Sequence, residues 1–225
     1  MTKEFFDRFQ ESEKNEKNEK KEKNDKRNNN SLSQPKKNPR EITYPSLFWA
    51  FYSLLNEQEV MLEQNKFKLK NAFTMGFVEQ IKKEKPFLKQ NKLKFHDIES
   101  SLLYDKDISL STLKCLVLYK KMNLVYVWNN KYYIFESNDD DKFYYLERTR
   151  EKYTTDRLLL KTDILANKVD GRLLMEDTRT ELKSPGTYKM CDLQQMAKTV
   201  KISLTNGAKR KTKQQLYEEI NIKID

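Results

Sequence analysis

Glycine is scarce in this chain of 225 residues, with four in all, and so are proline at five, cysteine at two and histidine at one. So few glycines, none in a G-x-G-x-x-G or Walker arrangement, exclude the usual phosphate-cradling loops. One histidine and two distant cysteines, Cys115 and Cys191, supply neither a zinc constellation nor a disulfide framework, and they suit a reducing compartment. No run approaches the roughly 18 to 20 apolar residues that span a bilayer, and "EFFDRF" at the start is followed by charges rather than a signal-peptide core. The expectation is a soluble intracellular protein with no transmembrane segment.

Charge is abundant. Lys and Arg number 44 against 34 Asp and Glu, a net charge of +10, and the mean hydropathy is -0.93. An excess of this sign favours polyanionic partners, nucleic acid or an anionic membrane surface, and says little about fold. Within 11–40 there are ten Lys or Arg against six Asp or Glu and almost no apolar residue. Such a segment cannot bury enough surface to offset its ordering entropy, so 1–40 is read as a disordered tail. Phe5, Phe6 and Phe9 ahead of it have helical spacing, either a short docking helix or a frayed terminus.

The folded part is expected to be α+β, with helices, a small antiparallel sheet and a terminal helical hairpin. Pro45 and Ser46 precede a helix with Leu47, Phe48, Phe51, Leu54 and Leu55 on one face. Further helices are predicted over Phe73–Lys83, over Leu93–Tyr104 and after Ser109 or Ser111, the last turning Leu113, Leu116, Val117 and Tyr119 inward. In "NLVYVWNNKYYIFE" two β-rich runs flank Asn129 and Asn130, whose tolerance of positive φ suits a hairpin turn. "KFYYLER" reads as a third strand, the next segment as a short strand or turn with a helix from Asp163, and Pro185-Gly186 as a linker. The domains are then 1–40, a central 41–182 and a small 183–225.

In the last segment Asp192 is expected to cap a helix with Leu193, Met196, Ala197 and Val200 inside. Thr212 and Gln215 form a capping box for a second helix with Leu216, Tyr217 and Ile220 inside. Between them lie a turn at Asn206 and Gly207 and the cations Lys209, Arg210, Lys211 and Lys213. Lys213 falls in the first turn of a helix, where the dipole disfavours a cation and free N–H groups favour an anion, so a bound phosphate would relieve both.

These residues, "YKMCDLQQMAKTVKISL" followed by "KRKTKQQLYEEI", resemble the SAP and helix-extension-helix class of DNA-binding modules. The version they look like stands at the C-termini of many nucleocytoplasmic large DNA virus proteins: a Tyr-Lys start, an Asp-Leu helix, an Ile-x-Leu link and a Lys-Thr-Lys-x-x-Leu-Tyr-Glu-x-Ile helix. The resemblance covers roughly the last 40 residues. It implies nucleic-acid backbone binding, DNA in the first place and without sequence preference, through Lys209, Arg210, Lys211 and Lys213.

The central part also resembles the papain-like and OTU-like peptidase core in order, with "PSLFWAF" as the nucleophile helix and the Asn-Asn hairpin where a His would enter. The chemistry departs from that family. Ser46 stands at the nucleophile position and reads as an N-cap, Tyr132 and Tyr133 stand where the His would be, and His96 lies in an earlier helix with Asp97 and Glu99. Asp139, Asp140 and Asp141 read as a solvated turn rather than a cation site. Trp49, Trp128, Tyr132 and Tyr133, near Lys131, are weighed as stacking platforms for bases and read more readily as core.

The reading that follows is a non-catalytic viral nucleic-acid-binding or DNA-packaging-associated protein, with no cofactor and no metal, located in the virion or host cytoplasm. A second viral structural protein is a candidate partner. The alternatives are a minor-capsid-type scaffold gripping acidic protein or membrane surfaces, and a degenerate peptidase fold.

Overall fold

The computed structural model describes residues 42–62 and 64–225. The tail to residue 40, with Phe5, Phe6 and Phe9, lies outside the described residues. The first helix, α1 (Leu47–Leu55), starts where the sequence places it: the Ser46 hydroxyl accepts from the Trp49 amide at 3.3 Å. A second acceptor closes the same end. The Asp107 carboxylate accepts from the amides of Leu47 at 2.9 Å, Phe48 at 3.3 Å and its neighbour Ile108 at 2.9 Å, and from the Tyr153 hydroxyl at 2.9 Å. An anion belongs at the positive end of a helix, and this one also ties that end to a distant strand.

Four shorter helices and one long one follow: α2 (Glu57–Leu62), α3 (Lys66–Ile81), α4 (Lys85–Gln90), α5 (Phe95–Leu103) and α6 (Leu110–Tyr119). The long helix begins at Lys66 rather than Phe73 because Asn65 caps it, its side-chain oxygen accepting from the Lys68 amide at 3.0 Å. For α6 the cap is Ser109, not Ser111, accepting from the Thr112 amide at 3.2 Å. Leu113, Leu116 and Val117 are buried as expected, with Tyr119 half-buried.

Six strands form one sheet: β1 (Thr43–Tyr44), β2 (Leu124–Trp128), β3 (Lys131–Phe135), β4 (Lys142–Thr149), β5 (Lys152–Leu160) and β6 (Leu173–Leu174), in the order β1-β5-β4-β2-β3-β6. The Asn-Asn hairpin is present, Leu124 to Trp128 pairing antiparallel with Phe135 to Lys131, and Asn129 has φ +54°. The expected antiparallel sheet, however, is mixed. β4 lies on the far side of β2 and runs parallel to it, and β6 runs parallel to β3.

The cause is local. After β3 the chain crosses the start of β2, and buried Asn123 holds the crossing loop. Its oxygen accepts from the amides of Ser137 at 2.8 Å and Asn138 at 3.2 Å, while its amide group faces Asn138 O at 3.1 Å, Asn138 Oδ1 at 2.7 Å and Asp140 O at 2.9 Å. The polar segment "SNDDD" is thus an anchored crossover between β3 and β4.

β2 is buried on both faces, as its unbroken Leu-Val-Tyr-Val run allows. Leu124 and Tyr126 join Tyr133, Phe135 and Leu146 against the helices α1 to α6, while Val125 and Val127 join Phe143 and Tyr145 under Ile164 of α7 (Lys161–Asn167) and Val169. The long strand β5, read from sequence as a short strand or turn, pairs along nearly all of β4, with one register shift between Phe143 and Tyr145.

Cys115 sits wholly inside this packing, and burial pushes its thiol up to about 12, whereas Cys191 is exposed. A thiol-specific reagent at neutral pH is expected to modify one cysteine of the native chain and the second only after denaturant is added. Equal rates for both would contradict the core described.

Candidate nucleic-acid interface

The terminal hairpin has two helices, α8 (Met190–Thr199) and α9 (Lys213–Ile224). One cap differs from expectation. Lys189, not Asp192, is the extended residue before α8, and Asp192 reaches back from the first turn to accept the Lys189 amide at 2.8 Å. The other is as read, with the Thr212 hydroxyl accepting from the Gln215 amide at 3.3 Å and the Gln215 side-chain oxygen from the Thr212 amide at 2.9 Å. Leu193, Ala197 and Val200 pack with Leu216, Ile220 and Ile224, all at most 1 % exposed. This seam continues into the main core rather than forming a separate one.

The link between the helices is a small ribbon, β7 (Thr205–Asn206) paired with β8 (Lys209–Arg210). Its turn is Gly207-Ala208, one residue later than expected, with Gly207 at φ +62° in the first loop position, which favours glycine. The basic segment is therefore half strand and half helix start.

The four cations divide. Lys211 is only 10 % exposed and its ammonium meets Glu219 Oε2 at 2.5 Å, so its charge is spent within the hairpin. Lys209 and Arg210 are exposed on β8, and adjacent strand positions face opposite sides. Lys213 opens α9. Lys209, Arg210 and Lys213 have no ion-pair partner among the described residues, nor do the main-chain N–H groups of Lys213 and Gln214 have an acceptor there. Lys213 and the unused donors thus share the start of α9, and Lys209 and Arg210 stand on the ribbon just before it.

The other end of α9 is held by the central sheet. The Asn130 side-chain Nδ2 donates to Lys223 O at 2.7 Å, the Asn129 Nδ2 to Asp225 O, and the Lys131 ammonium to Thr180 O at 2.8 Å and Asp225 Oδ1 at 3.3 Å. The β2–β3 turn in this way serves as a C-cap for α9, with Asn130 bonding a carbonyl 93 residues further along the chain. A helix of 12 residues is about 18 Å long, so Lys213 stands well clear of this latch.

The remaining candidates resolve into structure. Lys131 is 2 % exposed and lies 4.9 Å from the centre of the Trp128 ring, with Arg148 at the same distance from that ring, so neither Lys131 nor Trp128 offers an open stacking platform. Tyr133 is buried and donates to Arg179 O at 3.0 Å, Tyr132 is half-buried, and Trp49 packs edge-on to Phe48 and Tyr52. Ser46 is a cap, and the helix start that the peptidase overlay needs for its nucleophile is filled by the carboxylate of Asp107, whose charge disfavours a thiolate or alkoxide there. His96 is exposed on α5. Within Asp139–Asp141 the Asp140 carboxylate accepts from the Lys142 amide at 3.0 Å, and among the described residues no group of three or more His, Cys, Asp or Glu is placed to hold a metal ion.

Sequence reading missed Asp107 and Asn123, whose partners lie far along the chain. It also missed the burial of Lys131, for which a lysine between aromatics gives no warning. Among the described residues no helix is long and apolar enough to cross a membrane. No family model matches the sequence, and neither a curated protein nor a solved structure is significantly similar to it.

Proposed function

We propose that the chain is a non-catalytic nucleic-acid-binding protein that grips the phosphate backbone, DNA foremost, through Lys209, Arg210 and Lys213. The observation that carries the reading is that unpaired Lys213 and two unused N–H donors open a helix whose other end is clamped, with unpaired Lys209 and Arg210 on the ribbon that leads into it. Lys211 leaves the expected set, because its ammonium is held by Glu219. Phosphate contacts of this kind position a polymer without reading its sequence, which fits a packaging-associated viral role of the sort the SAP-like resemblance implies.

Each phosphate contact contributes about 0.9 to the slope of log affinity against log salt on duplex DNA, so three make about 2.7. The variant Lys209→Ala, Arg210→Ala, Lys213→Ala is expected to bind a random-sequence duplex more weakly, with the slope shallower by that amount and the thermal midpoint unchanged. Lys211→Ala is expected to lower the midpoint instead, since it strands Glu219. A salt slope that the triple variant leaves untouched sinks the reading. If vesicles carrying anionic lipid show the dependence and DNA does not, the scaffold alternative takes its place.

A further inference from the structure

The folded part carries a second concentration of positive charge, far from the terminal hairpin in sequence. Between residues 82 and 94 the sequence "KKEKPFLKQNKLK" carries six lysines and one glutamate. The fold gathers them where α3 ends, α4 runs and α5 begins. Ile81 and Leu88 are buried, Phe87 and Leu93 are half-buried, and Lys82, Lys83, Lys85, Lys89, Lys92 and Lys94 are all exposed. None of their ammonium groups has an ion-pair or hydrogen-bond partner among the described residues. By contrast the neighbouring Lys114 is paired, 2.5 Å from Asp177 Oδ1 and 3.2 Å from Asn91 O.

Three of the six have an ordinary explanation. Lys82, Lys83 and Lys89 lie at helix C-terminal ends, where the dipole favours a cation. The other three oppose local physics. Lys85 opens α4 at its positive end, one turn before Lys89, so the two like charges repel along one face. Lys92 ends α4 with φ +56°, a left-handed position that favours Gly or Asn, and the chain closes there through Leu93 N donating to Leu88 O at 2.8 Å. Lys94 is the N-cap of α5, makes no side-chain cap bond, and occupies a position that favours Ser, Thr, Asp or Asn. Left-handed lysines also follow α6 at Lys121 and α8 at Lys201, and Lys189 precedes α8 as an N-cap, so what sets 82–94 apart is six exposed and unpaired lysines within 13 residues, three of them at locally unfavourable positions.

We infer that the α3–α4–α5 corner, centred on Lys85, Lys89, Lys92 and Lys94, is a second phosphate-backbone contact surface. The inference takes its ligand class from the proposed function, but not its site. A membrane surface is the poorer occupant, because no large apolar side chain between 82 and 94 is exposed for insertion beside the lysines, as interfacial helices require.

The choice of residues supplies a test in which stability and binding move oppositely. In Lys85→Gln, Lys92→Gly, Lys94→Ser each change removes a cation and suits the local backbone better, so the thermal midpoint of the full chain is expected to hold or rise. Affinity for a short random-sequence duplex is expected to fall, with the salt slope shallower by about 2.7, about 0.9 for each of three phosphate contacts. An unchanged slope overturns the inference and leaves the hairpin reading intact. A loss in this variant together with none in the hairpin triple variant keeps the inference and removes the hairpin reading. Loss of binding to phosphatidylserine vesicles, with duplex binding unaltered, also overturns it and assigns the corner to membranes.

Discussion

Asp107→Ala is expected to destabilise the chain by about 4 kcal/mol, read as a lower urea midpoint at unchanged slope, because it removes the acceptor of four donors at once. The amides of Leu47, Phe48 and Ile108 and the Tyr153 hydroxyl all converge on this one carboxylate, and a buried donor left without a partner costs about 1–3 kcal/mol. Not all four are fully dehydrated, so the sum lies below four times the upper figure. Asp107→Asn keeps one good acceptor and loses the charge at the helix start, and is expected to cost about half as much. Against a total stability of about 5–15 kcal/mol, the alanine variant forfeits a large share. If it unfolds no earlier than the parent, then the α1 start, β5 and the loop before α6 are not joined through this residue.

The second large effect belongs to Asn123. Asn123→Ala removes a buried side chain that bonds the Ser137 and Asn138 amides and the carbonyls of Asn138 and Asp140, and with several hydrogen bonds lost at about 1 kcal/mol each, about 3 kcal/mol is expected. The near-isosteric Asn123→Asp discriminates hydrogen bonding from mere volume. It keeps the two acceptor contacts but turns an oxygen toward Asn138 O, Asn138 Oδ1 and Asp140 O, so repulsion replaces donation. That variant is expected to be at least as unstable as the alanine, and amide exchange in β4 should accelerate in both. An aspartate as stable as the parent would mean that the crossover loop is held by something else.

Features governed by nearest neighbours were legible in the sequence. Ser46, Ser109 and Thr212 cap the helices that follow them, and Asn129 allows the turn between β2 and β3, because each acts within a few residues of itself. The α+β class followed from the same local signals. What was not legible depends on partners distant in the chain. The parallel placement of β4 beside β2 turns on Asn123 meeting a loop 14 to 17 residues later, and nothing in "NLVYVW" announces it. The charge of Lys211 looked available until folding brought Glu219 to it, two helical turns beyond the ribbon. Conversely the lysines of 82–94 stand together in the sequence, and what the fold adds is that all six are exposed and none has a partner among the described residues.

The margins of the sheet bear on how copies of the chain meet one another. Its outermost strands, Thr43–Tyr44 and Leu173–Leu174, cover only Tyr153–Thr154 of β5 and Lys131–Tyr132 of β3, so β5 from Thr155 to Leu160 keeps an open edge. Long open margins invite intermolecular strand pairing unless charge or an irregular backbone blunts them. Here Asp156 and Arg157 are ion-paired to Lys168 and Glu57 and Leu158 stands at φ +52°, so the edge offers a second chain no flat, apolar template.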